Sequence, residues 1–147
     1  MVDILHRVGV VAPIDEVYNA VATAEGIAGW WTNDTVGTSA VGEKLVLRFG
    51  DVGGFDLEVL ELDPAGHVRW RVVDGPAEWI GTEIDWRFDR RGEYTIVLFG
   101  HHGWQEPVEF MHHCSTKWAS FLLSLKEFAE TGRGRPAPND LRIGDWH

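Results

Sequence analysis

The chain has 147 residues, is 44% hydrophobic and 24% charged, and carries a formal net charge of −10. This length suits one domain with a real core, and the charge balance argues against wholesale disorder. The negative charge repels phosphate backbones and anionic membranes, so no nucleic-acid partner and no membrane insertion are expected. No apolar run approaches the roughly 20 residues that span a bilayer. The start, Met1-Val2-Asp3-Ile4, lacks the basic region and apolar stretch of a signal peptide. The single Cys114 has no internal disulfide partner and fits a reducing cytoplasm.

Taken in chain order, Ile4 to Val11 alternates as a first strand. Pro13 pre-sets a helix in which Ile14, Val17, Tyr18 and Val21 share a face and Asp15 and Glu16 sit at the positive end of the dipole. Thr23 caps a short second helix through Ala28, which Gly26 and Gly29 weaken, and Trp30-Trp31 follow. Alternation then predicts strands over Lys44–Phe49, Phe55–Leu62, His67–Val73, Thr82–Asp89 and Tyr94–Phe99. In Phe55–Leu62 the inward set slips from Phe55, Leu57 and Val59 to Leu60 and Leu62, which predicts a bulge. Tyr94–Phe99 is apolar on both faces and is expected to be central or covered on both sides. His101 to Pro107 reads as a connection. A long amphipathic helix begins near Glu106–Glu109, buries Cys114, Trp118, Phe121, Leu122, Leu125 and Phe128, and stops at Gly132.

Strands first and one large helix last predict an α+β architecture. A curved antiparallel sheet of about six strands wraps the helix, with two short helices after the first strand. Residues 1–132 form the domain, and 133–147 an irregular tail that Ile143 and Trp146 could pin to the surface.

Chemistry is less legible. The sequence has no G-x-S-x-G elbow, no Gly-Lys phosphate loop and no dinucleotide fingerprint, so the catalytic residues are unknown and no cofactor is expected. His101-His102 and His112-His113, with Glu106 and Glu109, could supply zinc ligands, but adjacent histidines point apart and the spacing matches no signature, so no metal site is assigned. Cys114 on the apolar stripe reads as packing, and Glu83, Asp85 and Asp89 as solvent-facing. The aromatic residues are the better signal. Eight Trp can fill a core or wall a cavity. The candidate lining of a cavity between sheet and helix is Trp31, Phe55, Trp70, Trp86, Leu98, Met111, Cys114 and Trp118.

Three segments also carry a family resemblance: Ala12-Pro13-Ile14-Asp15-Glu16-Val17-Tyr18-Asn19-Ala20-Val21, then Gly29-Trp30-Trp31, then Trp118 to Gly132. In this order they resemble the START-like SRPBCC superfamily, in the branch similar to the C-terminal domain of the heat-shock-protein-90 ATPase activator homologue. The resemblance covers about Ile4 to Gly132. It implies a helix-grip fold with a deep, mostly hydrophobic cavity for a lipid, polyketide or aromatic compound. It carries no universal catalytic set. One position departs from the branch: Lys117 stands before the helix tryptophan, where Gly is common.

The leading expectation is therefore a protein that binds a hydrophobic small molecule. The alternatives are a polyketide cyclase or aromatase, with His101 and Glu106 as first suspects for proton transfer, and a chaperone-associated stress-response interaction module. A homodimer is left open, since Val46 and Val73 on the outer sheet face could pack against a second copy.

Overall fold

The computed structural model describes residues 1–147. Its elements in chain order are β1 (Val2–Val10), α1 (Ile14–Ala22), α2 (Ala24–Ala28), β2 (Asp34–Gly37), β3 (Lys44–Arg48), β4 (Gly54–Asp63), β5 (His67–Asp74), β6 (Glu83–Arg91), β7 (Tyr94–Trp104) and α3 (Glu109–Thr131). The strands form one antiparallel sheet in the order β1-β7-β6-β5-β4-β3-β2, and α3 lies across its inner face in a helix-grip arrangement. No helix is long and apolar enough to cross a membrane.

Most elements follow from local pattern. Ile84, Trp86 and Phe88 of β6 point inward and are buried, while Asp85, Arg87 and Asp89 point out. The outward residues pair across strands: Arg71 bonds Glu83 at 3.1 Å and His67 bonds Glu61 at 2.8 Å. The slip expected in β4 is a register shift between Val59 and Glu61. Gly132 closes α3 in the left-handed region (φ 83°) that glycine enters without a Cβ penalty. Gly26 permits a close approach, since a Cβ there would lie 2.4 Å from the Asn19 carbonyl oxygen of α1.

Two details go beyond the sequence reading. The sheet has seven strands where about six were expected, because β2 is a four-residue edge strand too short to show alternation. β7 continues through His101 to Trp104. His101 and His102 therefore lie in a strand rather than a connection, with Gly100 and Gly103 interrupting the pattern that would have revealed it. As expected of a strand apolar on both faces, β7 is central, paired by β1 and β6; on its outer face Ile96 is buried and Leu98 is 40% exposed.

The inner layer is a continuous aromatic cluster. Trp31 stands 4.9 Å from Trp118 and 6.1 Å from Trp70 between ring centroids, and Trp86 packs on Trp30, Trp70 and Phe99. A chain of hydrogen bonds runs through it. The Trp118 indole N–H donates to His101 Nδ1 (3.1 Å), His101 Nε2 donates to Thr82 Oγ1 (2.8 Å), and the Thr82 hydroxyl donates to the Trp79 carbonyl (2.6 Å). Each link requires the one before it. The hydroxyl proton is committed to Trp79, so Nε2 must carry a proton, and the indole donor requires a bare Nδ1. His101 is thus held as the neutral Nε2–H tautomer. Burial lowers its pKa to about 3.

This arrangement predicts acid sensitivity. The unfolded histidine takes up a proton near pH 6.5 and the folded one only near pH 3, so the unfolded state binds more protons between those values. The contribution is complete above pH 6.5 and is lost as pH falls toward 3. Denaturant melts should show a loss of about 2 kcal/mol between pH 7 and pH 5. His101→Gln should flatten that slope while lowering stability at pH 7.

Candidate functional site

A half-open cleft of about 1020 Å³ lies at one end of the sheet–helix sandwich. The turn between β3 and β4 forms one wall, with Phe49 and Phe55, and the loop after β5 brings Trp79 beside it. α3 supplies Cys114, Lys117, Trp118 and Phe121, and the C-terminal segment closes the far side with Ala137, Pro138 and Asp140. The floor is a stack of flat rings. Phe55 lies on Trp79 at 4.1 Å with 3° between planes, and Trp79 is nearly parallel to Trp118 at 5.8 Å. Trp31 tilts over Phe55 at 5.7 Å.

The candidate lining residues divide by depth. Trp31, Phe55, Cys114 and Trp118 border the cleft together. Trp70 and Trp86 are wholly buried beneath it and fill the interior where an apolar hollow was expected, so the open space lies at the end of the sandwich. Leu98 is corrected outright, because it alternates with inward Val97 and Phe99 and stands on the outer sheet face. Met111 is half-buried against the core and does not border the cleft. Trp79 and Phe121 were missed as lining residues. Trp79 sits in a loop without periodicity, and nothing local marks it as 4% exposed.

The chemistry of the cleft is mixed. Burial pushes the Cys114 thiol up to about 12, which keeps it protonated and a poor nucleophile. The Trp79 N–H makes no hydrogen bond of normal geometry, yet it faces that sulfur closely enough to temper the rise. Burial, reinforced by the Lys117 ammonium, holds His113 below the usual imidazole range. The residues suspected of proton transfer are not brought together here. Both His101 nitrogens are engaged behind Trp118, and Glu106 is exposed beside a separate depression on the outer side. The other histidines are dispersed too: His102 pairs with Asp3, and His113 stacks on Phe110.

The tail is a structural wall of the cleft. Ala137 exchanges backbone hydrogen bonds with Trp31 and Asn33 (2.8 and 3.1 Å). Ser124 of α3 donates to the Trp30 carbonyl and accepts from the Arg135 N–H. Lys117 Nζ meets Asp140 Oδ2 at 2.7 Å, with the Asp140 side chain only 4% exposed, and Lys117 also bonds the Leu141 carbonyl. Burial alone would raise the Asp140 carboxyl, but the Lys117 contacts outweigh it and hold it below the usual carboxylate range. Lys117 thus helps to fasten the tail to α3. Trp146 lies 49% exposed near Phe110 and His113. Lys117→Ala leaves the Asp140 carboxylate with only His147 beside it (3.1 Å), and should cost about 1–3 kcal/mol. Hydrogen exchange at residues 137–141 should accelerate, and trypsin should cut at Arg133 and Arg142 before the sheet opens.

With this geometry in view, the relatives can be placed. The family model described as "Activator of Hsp90 ATPase homolog 1-like protein" matches residues 11–130. Among curated proteins none matches. The solved Aha1 dimer from Colwellia psychrerythraea is 42% identical with a TM-score of 0.83, covering 91% of this chain and 100% of its own. Protein SSP2350 from Staphylococcus saprophyticus shares the fold at 20% identity and TM-score 0.76, covering 92% of this chain and 98% of its own. DynU16, from the dynemicin biosynthetic locus, is 25% identical with TM-score 0.73; the match covers 90% of this chain but only 48% of DynU16. The family match over most of the chain, on the same sheet and gripped helix, shows that this chain belongs to the Activator of Hsp90 ATPase homolog 1-like family.

Proposed function

We propose that the protein binds a flat, largely apolar small molecule with one polar end, and that the cleft is its site. The observation that carries this reading is the stack of Phe55, Trp79 and Trp118 at the floor of an open cavity. Aromatic side chains at the mouth of a cavity offer planar contact to a planar guest. Arg48, Asp74 and His113 around the rim can meet a polar group on that guest. Aromatic or polyketide-like compounds match this shape better than a long acyl chain, because Trp70 and Trp86 close the deeper interior. The place of DynU16 in a biosynthetic locus accords with the handling of a small molecule. A reducing cytoplasm suits the lone, buried Cys114.

A second reading concerns assembly. The 42% identical Colwellia Aha1 is a dimer. This favours self-association here as well, and it is independent of the ligand.

A panel of planar aromatic compounds and fatty acids tests the ligand reading by thermal shift and tryptophan quenching. A true ligand at 100 times its Kd adds about 2.7 kcal/mol, or roughly 5–10 °C in Tm. Phe55→Ala removes one ring of the stack and should weaken binding about tenfold while the protein stays folded. Silence from every planar compound up to its solubility limit would sink the proposal, and a response to fatty acids alone would redirect it to lipids.

A further inference from the structure

We infer that the free edge of β1 is the surface by which two copies of this chain join, through an antiparallel β1–β1′ pairing centred on Leu5. The inference rests on the self-association reading above and supplies its geometry.

β1 ends the sheet, with β7 on one side and no strand on the other. Two contacts show which backbone groups face the open side. Lys126 Nζ donates to the Gly9 carbonyl (2.6 Å), and the Val11 N–H donates to Glu130 (2.7 Å), both from α3. Backbone groups alternate sides along a strand, so Asp3, Leu5 and Arg7 also present their N–H and C=O groups outward. α3 covers the far end at Gly9 and Val11 and leaves the stretch around Leu5 as an unpaired edge, a surface that proteins usually blunt or fill.

The side chains on this stretch are self-complementary. A two-fold axis at Leu5 sets Leu5 against Leu5 of the second copy and Asp3 against Arg7, once on each side. All three are outward-facing edge residues, so each of these oppositions falls at a position where two strands exchange both hydrogen bonds. The Asp3 carboxylate accepts from the Gly103 N–H (3.1 Å) and sits 3.2 Å from His102 of β7, yet remains 46% exposed and open to a further cation. Arg7 is exposed and has no partner within the chain. Leu5 is 68% exposed, and Leu98, beside it on the neighbouring strand opposite Arg7, is 40% exposed. Pairing the edges brings these leucines together across the axis with an opposite-charge pair on either flank. The other edge offers no equivalent. β2 is four residues long, and a two-fold axis through it opposes Asp34 to Gly37. Val46 and Val73, the outer-face residues first considered for dimerisation, are only partly exposed.

The test is native mass spectrometry and sedimentation of the full chain, combined with cross-linking. The wild type should run as a dimer. Leu5→Asp should make it monomeric with unchanged circular dichroism and Tm. Arg7→Asp, which opposes two carboxylates, should weaken the dimer at least as strongly at low salt as at high salt. Leu5→Cys places two thiols on strands whose Cα atoms are about 5.5 Å apart, within disulfide reach. Mild oxidation should therefore give a covalent dimer, whereas Val36→Cys on β2, which is 61% exposed, should not. Native Cys114 is buried and does not compete. A wild type that stays monomeric would overturn self-association itself. A dimer that persists in Leu5→Asp, or cross-links as readily through Val36→Cys, would keep self-association and overturn this surface.

Discussion

The hydrogen bond from the Trp118 indole to the buried, neutral His101 is the constraint on which the molecule turns. It joins the one long helix to the sheet at a point otherwise held by non-directional apolar contact. Packing alone lets a helix slide or rotate on a sheet; a directional bond between buried groups does not. His101 passes the constraint on through Thr82 to the loop that carries Trp79. One chain of donors and acceptors therefore ties the helix to β7 and to the loop before β6 that forms the floor of the cleft. The same chain explains why a histidine sits at the centre of an aromatic cluster: it accepts at one nitrogen and donates at the other, which no apolar residue can do.

The cleft follows from this placement. With Trp118 fixed, Trp79 lies nearly parallel to it and Phe55 stacks on Trp79, so the rings form an ordered surface. Deeper in, the wholly buried Trp70 and Trp86 fill the interior. The open space is thus displaced from the middle of the sandwich to its mouth, where the C-terminal segment forms a wall. That wall is held by an ion pair removed from water, Lys117 with Asp140, and by the backbone of Trp31 and Asn33.

The outer surface shows a different logic. Across most of the sheet, charges pair from strand to strand and keep the face in water. At β1 the pattern changes to an exposed leucine between charges of opposite sign. Like charges along an edge would repel a second copy. Opposite charges at equal spacing from a two-fold axis attract one, so the same residue types that protect an edge can also specify its partner.

The sequence by itself determined the periodic parts: the alternation of β6, the slip in β4, the apolar stripe of α3 and its glycine stop. These are local, because inward and outward positions recur every two residues in a strand and every three to four in a helix. Only the tertiary structure decided the rest. β2 was too short to show a pattern, the end of β7 was hidden by glycines, and Trp79 lay in an aperiodic loop. Trp70, Trp86 and Trp118 read alike in sequence, yet two are buried filler and one borders the cleft. The distinction depends on how far each ring stands from the end of the sandwich, a distance set by chain segments far apart in sequence. Lys117 looked like a local departure, and its meaning came from Asp140, which the folded chain alone brings to within 2.7 Å.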